Sequence, residues 1–137
     1  TKTTLVLSPL DRKQKGLKSL MVKLNNHQVL VFESRRPEKW SSPELYINGL
    51  MAYIVDTKII NDREGESSSE ERTRTATYLT TDQRQTNGSN LFAGCNRTKC
   101  DRTMIYAKEG QTFTFDGIRV SLIKSGVNDE ILLEKIS

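Results

Sequence analysis

FTFDGIRVSL, residues 113–122, is the stretch that decides the fold class. Apolar and polar side chains alternate on both sides of a central Asp116-Gly117, which is the pattern of two half-buried strands. Asp and Gly both accept positive φ, so the pair predicts a two-residue type I′ turn. The predicted hairpin places four apolar side chains on one face, with Phe115 opposite Ile118 and Phe113 opposite Val120.

Similar strand patterns recur along the chain. Residues 20–24 and 27–32 flank Asn25-Asn26 and predict a second hairpin, because Asn enters the left-handed region more readily than most residues. The run 29–32 is apolar on both faces, which is typical of a central strand covered on both sides. Further strands are predicted at residues 4–7, 50–55, 75–79 and 130–136, the last completing a meander with the 113–122 hairpin.

The strand patterns, without any long helical periodicity, set the fold prediction. Roughly six to nine short strands joined by polar loops predict an all-β chain, a single-domain antiparallel β-sandwich over residues 1–137. A partly open β-barrel is the alternative. Residues 60–72 hold five acidic residues against two arginines, and we expect an exposed, mobile acidic loop there.

Length and charge exclude several classes. No apolar run approaches the roughly 20 residues of a membrane span, so none is expected. The formal net charge is +4, and residues 1–40 hold nine Lys or Arg against three Asp or Glu. These basic residues are not interleaved with aromatic ones, which argues against nucleic-acid binding. A basic face and an acidic loop could instead pair between subunits.

Two cysteines, Cys95 and Cys100, are separated by four residues. This spacing can close a small disulfide loop, and the alternative is two free thiols. We favour the disulfide, which predicts an extracellular, secreted protein. Two thiols and one distant histidine, His27, are too few ligands for a zinc site. Asn87 and Asn96 open Asn-x-Ser/Thr sequons, which matter only on a eukaryotic secretory route.

Three aromatic residues, Trp40, Tyr46 and Phe92, lie in loop-like sequence. Exposed rings of this kind form carbohydrate-binding platforms, whereas rings that fold back over the edge of a core are structural. The structural arrangement is the commoner one, and a carbohydrate-binding module is one of the alternative functions.

The sequence lacks the motifs of the common catalytic centres. It contains no HExxH, GxSxG, Walker or GxGxxG pattern. Its single histidine, His27, borders a predicted turn with no aspartate suggested nearby, so a histidine-dependent triad is not expected. We therefore predict no catalytic residue and no cofactor.

Glu33 and Asp56 each follow an apolar strand. If those strands are neighbours, the two carboxylates sit at matching strand ends with Arg35 close by. One interpretation is a cation site or an acid–base pair. The favoured interpretation is a structural ion pair of Arg35 with Glu33 or Asp56 that caps the sheet.

The same two strands carry a family resemblance. Residues 29–36, VLVFESRR, followed by residues 49–56, GLMAYIVD, resemble secreted metalloproteases of the immune-inhibitor-A type. In that family an apolar strand ends in Glu-x-Arg, and a Gly-Leu-x-x-x-x-Val-Asp segment follows after a loop. Residues 110–126 are also similar to the β tail of actinobacterial members. In the family these segments lie downstream of the zinc-binding HExxH helix, which this sequence does not contain.

The resemblance implies a β-module of a secreted, metalloprotease-like protein, without zinc or catalytic residues of its own. Such a module would pack on the remainder of a larger polypeptide or on a protein partner, and the start without Met fits a processed or excised piece. The alternatives are a self-associating structural, adhesive or capsid-type β-sandwich, a carbohydrate-binding module, and a small hydrolase that uses Glu33 and Asp56.

Overall fold

The computed structural model describes residues 2–10, 13, 15–35, 49–58, 76–85, 88–92 and 105–136. A single turn of 3-10 helix, Asp82–Arg84, lies among the strands. The strands, numbered in chain order, are β1 Lys2–Leu7, β2 Ser19–Lys23, β3 Gln28–Arg35, β4 Gly49–Asp56, β5 Ala76–Tyr78, β6 Tyr106–Ala107, β7 Thr112–Phe115, β8 Ile118–Ser125 and β9 Asp129–Lys135.

The described strands form two antiparallel sheets. The four-stranded sheet has the order β1-β9-β8-β7, and the five-stranded sheet has the order β2-β3-β4-β5 with β6 also paired to β4. The inner faces of both sheets contribute to one core, so the fold is the all-β sandwich that the sequence predicts. The core comprises Leu7, Leu30, Phe32, Leu50, Ala52, Ile54, Leu79, Ala107, Phe113, Val120, Leu122 and Ile131.

The hairpin at Asp116-Gly117 has the predicted register, with Phe115 opposite Ile118 and Phe113 opposite Val120. Asp116 has a φ of 50° and Gly117 a φ of 78°, and both are positive as the prediction requires. All four apolar side chains pack into or against the core. β9 pairs with β8, so the predicted meander is confirmed.

The second hairpin joins β2 to β3 as predicted, but its turn is built differently. Lys23 pairs with Val29, so the turn holds His27 as well as the two asparagines. Positive φ among the described non-glycine residues occurs at Asp116, so Asn25 does not use the left-handed region. Instead its Oδ1 accepts hydrogen bonds from the backbone N–H groups of His27 and Gln28, each at 2.9 Å. Asn25 therefore shapes the turn through its side chain.

β3 is the central strand that its apolar run predicts, and it lies between β2 and β4. Leu30 and Phe32 point into the core, and each is 1% exposed. Val31 and Glu33 alternate onto the opposite face, where they are only 4% and 7% exposed. Both faces of β3 are therefore withdrawn from water.

Candidate functional site

The two outer faces of the sandwich carry different chemistry. On the four-stranded sheet, polar side chains stand opposite one another across the strands. Lys2 Nζ lies 3.7 Å from Glu134 Oε2, and Glu134 is opposite Arg119. Because the Lys2 side chain is 69% exposed, this ion pair contributes little to stability.

The outer face of the five-stranded sheet is mainly apolar, and we call it the aromatic face. β3 and β4 are apolar at most positions, so their outward side chains are apolar as well as their inward ones. The register aligns the outward side chains in three adjacent rows, Lys23-Val29-Val55-Ala76, Met21-Val31-Tyr53-Tyr78 and Ser19-Glu33-Met51-Tyr106.

The aromatic face is buried at its centre and exposed at its margins. Val31 and Met51 are each 4% exposed, whereas Met21 is 66% exposed and Tyr78 is 36% exposed. The rings of Tyr53 and Tyr78 are 5.9 Å apart in an edge-on arrangement, which is a favourable geometry for an aromatic pair. The exposed part of the row is therefore held in place by packing on its buried part.

A carboxylate sits within this face. Glu33 Oε1 lies 3.5 Å from Arg35 Nη2, and the Glu33 side chain is 9% exposed while that of Arg35 is 37% exposed. Burial of the phenol, and then the negative charge of Glu33, raise the pKa of Tyr53 to about 12. Tyr53 is therefore a neutral hydrogen-bonding group at physiological pH. Ring surface, a neutral phenol and a paired carboxylate are constituents of a binding surface.

The predicted placement of Glu33 and Asp56 at matching strand ends is wrong. Their strands, β3 and β4, are neighbours as supposed, but they run antiparallel. Glu33 is opposite Met51 and Asp56 is opposite Gln28, so the two carboxylates lie at opposite ends of the pair. The ion pair of Arg35 with Glu33 is present, and Asp56 belongs to another cluster.

That other cluster is at the tip of the β2–β3 hairpin. Asp56 Oδ1 lies 3.1 Å from His27 Nδ1 and accepts a hydrogen bond of 3.0 Å from the Lys58 backbone N–H. His27 thus has the aspartate neighbour that the sequence did not suggest, because the two are 29 residues apart along the chain. The Thr57 backbone N–H donates to the His27 carbonyl at 2.8 Å, so the contacts brace the strand ends.

A third polar cluster, missed by sequence reasoning, surrounds Asp82. Its Oδ2 accepts hydrogen bonds from the hydroxyls of Thr112 and Thr114, the latter at 2.7 Å, and its Oδ1 accepts one of 2.7 Å from the Asn90 amide. Alternation on β7 holds a signal for it, because a strand that turns Phe113 inward turns both threonines outward. The sequence did not reveal the carboxylate that meets them, which lies 30 residues away from Thr112.

Of the other predicted site residues, the described part of the chain includes Phe92. Its ring is half-buried, and its backbone N–H donates to the Tyr78 carbonyl at 2.9 Å, so it lies beside β5. The remaining predictions fall outside the described residues: Trp40, Tyr46, Cys95, Cys100, Asn87, Asn96 and the acidic loop of residues 60–72.

Among the described residues, no group of three or more His, Cys, Asp or Glu side chains is arranged to hold a metal ion. The same residues include no helix long and apolar enough to cross a membrane. Comparison with protein-family models, curated proteins and solved structures gives no match.

Proposed function

We propose that this chain is a non-catalytic β-module of a secreted, metalloprotease-like protein, and that its aromatic face packs against a protein surface. The row Met21-Val31-Tyr53-Tyr78 supports this best. Aromatic residues, Met and Arg are enriched in protein interfaces, and the one glutamate described on this face, Glu33, is paired with Arg35. The secreted, protease-like setting rests on the resemblance of residues 29–36 and 49–56.

The distribution of exposure on the aromatic face favours binding over a purely internal role. Met21 is 66% exposed, which is high for an apolar side chain that stands in one row with Val31, Tyr53 and Tyr78. Covering it would remove apolar area from water, the main favourable contribution to protein association. The Glu33–Arg35 pair beside the row would give such a contact its orientation, because polar groups at an interface fix the register of the partners.

The gene sequence tests whether this chain is part of a metalloprotease-like protein. We expect the reading frame of this chain to encode an HExxH helix upstream of the Thr1 codon. A complete open reading frame that covers this chain and encodes no such helix would contradict the protease-like setting, while leaving the binding role of the aromatic face to the next experiment.

The binding role is tested in the full-length secreted protein with two matched variants. Met21→Lys places a charge on the aromatic face, and Val6→Lys places one on the four-stranded sheet, where Val6 is 52% exposed. If the face packs on a neighbouring domain, Met21→Lys should weaken that contact. Calorimetry should then show the module of this variant unfolding in a transition of its own, at a lower temperature than the rest of the protein, whereas Val6→Lys should unfold as the unmodified protein does. Identical unfolding transitions in the two variants would contradict a binding role for the aromatic face.

Self-association of a structural or adhesive β-sandwich is the second candidate. Within the described sheets β2, which carries Met21, is an edge strand, and an edge strand presents backbone groups with which a second copy can pair. Sedimentation velocity over a range of concentrations tests this candidate. It predicts ordered oligomers that Met21→Lys dissociates and Val6→Lys does not, and a chain that stays monomeric throughout excludes it.

A further inference from the structure

A cavity of about 290 Å³ lies between the two sheets at the end that holds the start of β1 and the end of β9. Its walls come from both sheets. Val22 on β2 faces Ile118 on β8 and Leu133 on β9, with Thr3 and the Glu134-Lys135 pair at its mouth. The cavity opens to solvent, so a ligand can enter without any strand moving.

The register explains why this space is apolar inside. Val22 is opposite the core residue Leu30, while Ile118 precedes the core residue Val120 by two positions, so both point inward. Leu133 is opposite Val120 and also points inward. These three side chains pack against the core on one side and are only half-buried, because the cavity lies on the other side.

Lys135 contributes a positive charge at the mouth of the cavity. Lys135 is opposite Ile118, so it lies on the side of β9 that faces the other sheet. It is the last residue of the strand, and its side chain is exposed. Among the described residues no carboxylate is within ion-pair distance of Lys135. Glu134 lies on the outer side of β9, and its carboxylate is 3.7 Å from Lys2 Nζ. Of the charged side chains that the structure describes at this mouth, Lys135 is therefore the one that an anionic ligand can meet.

We propose that this inter-sheet cavity binds a small amphipathic anion, an unbranched alkyl chain with a terminal carboxylate. The chain lies among Val22, Ile118 and Leu133, and the carboxylate meets Lys135. An apolar cavity of about 150 Å³ holds benzene, and a water-sized unit occupies about 30 Å³, so this one has room for roughly ten methylene-sized groups. The site is separate from the aromatic face and does not depend on the function proposed for that face.

Isothermal titration calorimetry with hexanoate, octanoate and decanoate, kept below their micelle concentrations, tests the apolar part. Each methylene that enters the cavity should raise affinity about fourfold, and the gain should flatten once the cavity is full. Val22→Phe fills the cavity and should weaken octanoate binding about tenfold or more, since most of the chain is then excluded. Ile123→Phe, at a 44% exposed position outside the cavity, is the matched control and should not change it.

Octanol and octylammonium test the charged part. Octanoate should bind more tightly than either, and Lys135→Met should lower octanoate affinity about two- to fivefold, the range of an exposed ion pair, without changing octanol binding. Lys124→Met is the control. If Val22→Phe does not fold, Val22→Ala enlarges the cavity and should shift the preferred chain length upward. Absence of saturable binding, a flat chain-length series, or equal binding of octylammonium would overturn the proposal.

Discussion

The ring of Phe32 on β3 lies 6.2 Å from the ring of Phe113 on β7, with 57° between the ring planes. This pair joins the inner faces of the two sheets, because β3 belongs to the five-stranded sheet and β7 to the four-stranded one. Each ring is 1% exposed, so the contact is part of the dry interior of the sandwich. Tilted aromatic pairs at this separation add about 0.5–1.5 kcal/mol beyond the area that they bury.

Removal of either ring should strongly destabilise the fold. Phe32→Ala and Phe113→Ala should each lower the free energy of unfolding by about 3–5 kcal/mol, because each leaves a cavity in a close-packed core. Urea denaturation measures these changes, with Val127→Ala at a 76% exposed position as the control. A double-mutant cycle should give a coupling energy of about 0.5–1.5 kcal/mol, and zero coupling would mean that the rings do not interact.

The turn of the β7–β8 hairpin should be sensitive to a single methyl group. Gly117 has a φ of 78°, and a non-glycine residue held in that region costs about 1–3 kcal/mol. Gly117→Ala should therefore destabilise the protein by about that amount in chemical denaturation. Gly126→Ala is the matched control, since an added Cβ there would meet only the Asn128 carbonyl oxygen at 3.9 Å and φ lies outside the left-handed region. Equal effects of the two variants would contradict the role of backbone conformation.

Local signals predicted the parts of the fold that depend on neighbours in sequence. Three local patterns predicted the structure of their own segments correctly. They are the Asp116-Gly117 turn, the alternation of residues 113–122 and the apolar run of β3. The conformation of the turn at Asn25 could not be predicted from the local sequence. Its residue type was informative, but the choice between a left-handed backbone and a side-chain hydrogen bond depended on the pairing of β2 with β3.

The candidate sites could be predicted less well because they depend on how strands pair. Glu33 and Asp56 look alike in sequence, each at the end of an apolar strand, and only a parallel arrangement would bring them together. Antiparallel pairing sends Asp56 to His27 instead. The row Met21-Val31-Tyr53-Tyr78 spans four strands, so no window of sequence displays it.

The raised pKa of Tyr53 makes a prediction about alkaline stability. Burial and the Glu33 carboxylate raise the pKa of this phenol from 10.0 to about 12 in the folded protein. Between these values the unfolded chain has lost the phenolic proton while the folded protein keeps it, so the folded state binds more protons. Stability from this group is full below pH 10 and should fall as pH rises from about 10 to 12.

Phenolate absorbance during an alkaline titration measures this directly. Tyr53 should ionise late, and Tyr53→Phe should abolish that late phase. Glu33→Gln removes the second cause of the raised pKa. The late phase should then move toward pH 10.0, the ordinary pKa of tyrosine, without reaching it, because the phenol remains buried. Glu130→Gln on the other sheet is the control. A late phase that persists in Tyr53→Phe would refute the assignment.

Asp82 should be a stabilising clamp rather than a surface acid. It joins the 3-10 helix Asp82–Arg84 to β7 through the hydroxyls of Thr112 and Thr114. Hydrogen bonds to a charged group are worth about 1.5–3 kcal/mol, and a part-buried donor left without its partner adds a desolvation cost. Asp82→Ala should therefore lower the free energy of unfolding by about 2–4 kcal/mol in urea denaturation.

Two aspartate variants separate this clamp from a general loss of charge. Asp82→Asn keeps one acceptor oxygen and so preserves part of these hydrogen bonds, and it should destabilise the protein less than Asp82→Ala. Asp116→Asn removes a carboxylate from an exposed turn, and Asn accepts the positive φ of 50° found there, so its effect should stay within about 0.5 kcal/mol. Equal effects of Asp82→Ala and Asp116→Asn would show that the hydroxyl contacts add nothing to stability, and the 3-10 helix would then be held to the sandwich by the packing of its neighbours alone.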